Sequence, residues 1–66
     1  MVDIEVVKKF LKPDEVMLND ETEILKAGKK LEGYKYIMAY NYKNKLYSLS
    51  KINTNEGLKF LLQPLL

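Results

Sequence analysis

The sequence predicts a small α+β domain, one antiparallel β-hairpin packed against two or three short helices. Three stretches carry that expectation. Residues 34–52 alternate tyrosine and other apolar side chains with polar ones at the two-residue period of a strand. Residues 20–33 hold the start and stop signals of a helix, and residues 58–65 repeat leucine at helical spacing.

Asp3 to Leu11 reads as a first helix. Ile4, Val7 and Leu11 recur at helical spacing with Val6 and Phe10 beside them, and Asp3 can cap the start. A strand competes, because Val2, Ile4 and Val6 are β-branched and alternate with Asp3 and Glu5. Pro13 ends either element. Asp14 to Leu18 is short, and fits a helical turn or a strand equally.

The second helix is expected over 20–32. Asp20 followed by Glu23 makes an acidic capping box, and Glu21 and Glu23 suit the positive end of the helix dipole. Lys29 and Lys30 suit its negative end, and Gly33 stands where a left-handed cap glycine belongs. Ile24, Ala27, Gly28 and Leu31 would share one face.

Residues 34–52 read as the hairpin. Tyr34, Tyr36, Met38, Tyr40 and Tyr42 point one way; Lys35, Ile37, Ala39, Asn41 and Lys43 point the other. A tight turn at Lys43-Asn44 would pair Tyr40 with Tyr47 and Met38 with Leu49, because asparagine tolerates the left-handed conformation. A closing helix is expected over 54–63, capped by Asn53 and Glu56, with Leu58, Leu61, Leu62 and Leu65 as its apolar stripe. Pro64 would end it and leave Leu65 and Leu66 as an apolar tail, a candidate dimer contact. Two other layouts compete. A small SH3-like barrel with a C-terminal helix needs 20–33 to be strand. A winged-helix layout would set Glu21 and Glu23 against phosphates.

Composition narrows the function. The chain has 66 residues and 47% hydrophobic content, which suits one domain with a modest core. A domain of this size buries only ~60% of the surface its unfolded chain exposes. Histidine and cysteine are absent, which removes disulfides, the common zinc site, the usual neutral-pH acid–base group and the thiol nucleophile. Ser48 and Ser50 have no base in sequence, and Gly28, Gly33 and Gly57 form no phosphate loop. The chain is therefore expected not to be an enzyme and to need no cofactor. Asp14, Glu15, Asp20, Glu21 and Glu23 are oxygen donors by type, but their spacing matches no cation-binding loop, and a solvated helix start accounts for them. No run approaches the ~20 apolar residues of a membrane span, and Asp3 and Glu5 stand where a signal peptide needs lysines. An intracellular, cytoplasmic location without a membrane partner is expected.

Charge is distributed unevenly. Residues 1–25 hold seven carboxylates and three lysines, a balance of −4; residues 26–52 hold seven lysines and Glu32 alone, a balance of +6. Every base is lysine. Lysine attracts anions as a point charge, without the bidentate geometry of arginine. The candidate binding surface is the hairpin, with Tyr34, Tyr36, Tyr40, Tyr42 and Tyr47 interleaved with Lys35, Lys43, Lys45 and Lys51. Tyrosines on a sheet can stack bases while lysines track phosphates. They equally suit a protein interface, and the same face is also the larger apolar face available for a core. The expected function is a non-catalytic protein-interaction module, such as a small inhibitor, adaptor or self-associating subunit. Its partner would be another protein or a second copy. Nucleic-acid binding through the Lys/Tyr-rich hairpin is the alternative.

Overall fold

The computed structural model describes residues 1–30 and 36–65, and the side chains of all of these except 29, 30, 36 and 37. Among these residues, one helix and five strands follow in order: α1 (Ile4–Phe10), β1 (Val16–Leu18), β2 (Leu25–Lys30), β3 (Tyr36–Tyr42), β4 (Lys45–Thr54) and β5 (Gly57–Pro64). The strands form a single antiparallel sheet in the order β1-β5-β4-β3-β2. The α+β expectation of a hairpin under two or three helices is thus corrected to a mainly antiparallel sheet with one short helix.

The helix expected over 20–32 is instead a turn and strand β2. Asp20 supplies the reason. Its carboxylate accepts from the Thr22 backbone N–H at 3.0 Å and from the Thr22 hydroxyl at 2.7 Å, while the Ile24 N–H donates to the Glu21 carbonyl. Aspartate satisfies the backbone two residues on in a turn just as it does at a helix start, so the capping signal has two outcomes. Leu25–Lys30 then pairs with β3 over six positions. The cap glycine Gly33 lies outside the described residues.

The helix expected over 54–63 is strand β5, which also removes the C-terminal helix of the SH3-like alternative. Leu58, Phe60 and Leu62 alternate, so the segment carries a strand period within its leucine spacing. The strand places Phe60 and Leu62 together in the interior, and its backbone pairs with β4 over eight positions. Asn53 lies in β4, and Glu56 lies in the two-residue turn that joins Thr54 to Gly57. The Glu56 N–H donates to Thr54 Oγ1 at 3.1 Å, Thr54 Oγ1 donates to the Gly57 carbonyl at 2.8 Å, and Gly57 takes φ +104°.

Two local expectations match the coordinates. Asp3 caps α1 by accepting from the Glu5 N–H at 2.9 Å. Lys43 and Asn44 form the β3–β4 turn with φ 49° and 66°, the left-handed pair of a two-residue hairpin, and Tyr40 stands opposite Tyr47. The ladder, however, stops there. Among the described residues, Asn41–Leu46 and Tyr42–Lys45 are the only other β3–β4 pairs, so Met38 does not pair with Leu49. Beyond Tyr40 the third strand follows β2, and beyond Tyr47 the fourth follows β5.

The core lies on the tyrosine face. Tyr42, Tyr47 and Leu62 form its centre, and Val16, Leu18, Ile24 and Leu49 pack against them. Ile24 comes from the link between the two edge strands, so that link closes over the core. The N-terminal segment ties to the far end of the sheet. The Val2 N–H donates to the Asn53 carbonyl, the Asn55 N–H to the Val2 carbonyl, and the Ile4 N–H to Asn55 Oδ1. Ile4 and Thr54 are buried there.

The turn generates the first prediction. A non-glycine residue in the left-handed region costs roughly 1–2 kcal/mol, and most for β-branched side chains. Asn44→Val should therefore lower stability by about that amount in urea titration, whereas Asn44→Gly should leave it equal or higher.

Candidate functional site

The structure separates the residues that the sequence grouped. Tyr42 and Tyr47 are each only 7% exposed and meet edge to face, ring centroids 6.2 Å apart at 66°. Their rings are core, and they offer no face on which a base could stack. Tyr40 is half-buried. Tyr36 contributes backbone to β3, its side chain is outside the described residues, and Tyr34 and Lys35 lie outside them entirely.

The lysines form a rim around that core. Lys43, Lys45 and Lys51 are exposed. The Lys43 ammonium sits 5.2 Å from the centroid of Tyr42, and the Lys51 ammonium 5.9 Å from that of Phe60. Each spans apolar ring surface with its stem and keeps its charge in water, the usual compromise for lysine. Lys26, opposite Tyr40, is exposed as well.

One concavity was not anticipated. A groove of about 660 Å³ is lined by Pro13, Asp14, Val16, Asn44, Lys45, Leu46, Tyr47 and Pro64. It runs between the approach to β1, the β3–β4 turn and the end of β5. Apolar walls carry one carboxylate and one ammonium, Asp14 and Lys45, both exposed. The two prolines were the only sequence signal for it, and they read there simply as punctuation. The chain has no histidine or cysteine, so the groove holds no imidazole or thiol. Among the described residues, no group of three or more acidic side chains is placed to hold a metal ion.

One wall of this region is held by Glu15. Its carboxylate accepts from the Lys12 backbone N–H at 2.8 Å and from the Gln63 side-chain amide at 2.6 Å. These bonds favour the charged form, the backbone bond foremost, and hold its pKa below the ordinary glutamate range. Asp20 is likewise lowered by the Thr22 hydroxyl and then the Thr22 N–H. No helix among the described residues is long and apolar enough to cross a membrane.

No family model matches the chain, and neither a curated protein nor a solved structure gives a match. The functional reading therefore rests on this chain's own residues.

Two outcomes follow. Tyr47→Ala should cost about 3–5 kcal/mol, as truncation of a buried aromatic does, and unfold a domain this small; Lys43→Ala and Lys45→Ala should stay within roughly 0.5 kcal/mol of the parent. Calorimetry separates the two classes. For Glu15, a folded-state pKa below the unfolded one means that its tie is complete above about pH 4.3 and is lost as pH falls through the folded value. Side-chain NMR titration should place Glu15 below that ordinary value. Gln63→Ala should raise it only part of the way, because the Lys12 N–H remains.

Proposed function

We propose that this chain is a non-catalytic protein-interaction module that recognises an extended segment of its partner. The observation that carries this reading is the sheet's incomplete edges. Strand β2 has one neighbour, β3, and β4 has β3 beside it only from Lys45 to Tyr47. Exposed strand edges present rows of backbone donors and acceptors that a partner strand can complete. Large apolar side chains are exposed close to those edges, with Leu25 at 67% and Met38 at 51%. Short scaffolds without disulfides or metals often gain stability from such association.

Nucleic-acid binding is the second reading, favoured by the exposed Lys26, Lys43, Lys45 and Lys51. It would proceed by phosphate attraction alone, because Tyr42 and Tyr47 are buried and arginine is absent. A salt series on two panels, short peptides and fluorescent oligonucleotides, distinguishes the readings. The module reading expects binding to particular peptides that survives 0.5 M salt, with oligonucleotides bound no better than the ~10⁻⁴–10⁻⁶ M of non-specific contact and released as salt rises. Tight oligonucleotide binding with no peptide bound at any salt would overturn it.

A further inference from the structure

The cleft where β3 and β4 part has a definite chemistry. In an antiparallel strand the N–H and C=O of one residue point to the same neighbour, and successive residues alternate. The Leu46 carbonyl accepts from the Leu65 N–H, so even-numbered positions of β4 face β5. The Asn53 carbonyl accepts from the Val2 N–H, so odd-numbered positions face the other way. Tyr47 meets Tyr40 on that side and Asn53 meets Val2. Between them, Leu49 and Lys51 face the same side, and among the described residues neither has a β3 residue in register with it. This is a window two residues wide, closed at both ends by pairs the chain makes itself.

The side chains around the window are of two kinds. Leu49 is half-buried at the edge of the core, and Met38 on β3 is exposed on the same face. Lys51 is exposed two residues further on, and Lys26 lies across β3. The three strands that bound the cleft, β2, β3 and β4, carry Lys26, Lys29, Lys30, Lys45 and Lys51 and no carboxylate.

We propose that the Leu49–Lys51 window is a strand-addition site for an acidic extended segment of another protein, read antiparallel as acid-x-apolar. The acid would lie opposite Lys51 and the apolar residue opposite Leu49, beside Met38. Opposite charges directly across a strand pair are favourable and like charges are not. Lys51 therefore favours an acidic residue opposite it and disfavours a basic one, as β2 of a second copy would bring. The inference rests on the module reading above and names the site and partner chemistry within it.

The test uses two acetylated, amidated peptides short enough to lie between Tyr47 and Asn53, TETVT and TKTVT, titrated into the isotope-labelled full chain and followed by amide shifts. The acidic peptide should perturb Leu49 and Lys51 most and bind roughly two- to thirtyfold tighter than the basic one, the difference between a favourable and an unfavourable cross-strand charge pair. Lys51→Gln should erase the preference, and Lys51→Glu should reverse it. Lys51→Gln also guards against a folding artefact, because Lys51 is exposed and glutamine keeps a polar, unbranched side chain there. Equal binding of both peptides, or shifts centred elsewhere, would overturn the site while leaving the module reading in place. Shifts of these amides with protein concentration alone, or with oligothymidylate and not with peptide, would show another occupant and also overturn it. No peptide bound at millimolar concentration, here or across the wider panel, would remove both.

Discussion

Tyr42 and Tyr47 meet edge to face across a two-residue turn, and the rest of the molecule hangs from that contact. The β2–β3 ribbon and the broader β1-β5-β4 sheet share only three residue pairs, Tyr40–Tyr47, Asn41–Leu46 and Tyr42–Lys45. Hydrogen bonds at so short a ladder, each worth roughly 0.5–1.5 kcal/mol net, are a weak joint alone. The joint holds because it is also the centre of the core. Tyr42 comes from the ribbon, Tyr47 and Leu62 from the sheet, and Val16, Leu18 and Ile24 from the strand and link that close over them. The left-handed turn sets the register that brings the two rings together.

Burying the tyrosines decides what the surface can be. With those rings inside, the accessible part of the hairpin is lysine and backbone, a surface suited to charge and to strand pairing more than to stacking. The acidic half of the chain has a separate structural part. Asp3 caps α1, Glu15 ties the approach of β1 to Gln63, and Asp20 builds the turn before β2. Three of the seven carboxylates before residue 26 are thus occupied in shaping connections.

The hairpin was legible because its signals agreed. Alternation, β-branched and aromatic residues, and an asparagine able to sit left-handed all favour the same turn at Lys43-Asn44. The flanking segments were misread because their signals are shared by two structures. Asp20 caps helices and makes turns by the same hydrogen bond, and Leu58, Leu61 and Leu62 fit a helix stripe while Leu58, Phe60 and Leu62 fit a strand. Only the partner decides, and the partner of Leu58–Pro64 is β4, a choice made by tertiary pairing that a local pattern cannot contain. For the candidate site, the lysines were readable as exposed. The window at Leu49 and Lys51 was not, since it exists because β3 leaves β4, and nothing in either strand's own sequence marks the point of parting.

The most direct measurement of this account is native-state amide exchange along β4, because it reads both the core joint and the parting of the strands. Slow exchange at Tyr47, Ser48, Ser50 and Ile52 with fast exchange at Leu49 and Lys51 is the result expected if β4 faces β5 on one side and an open cleft on the other. Uniform protection from Tyr47 to Asn53 would mean that β3 or another chain completes the edge, and the account of the sheet and of its candidate site would be wrong.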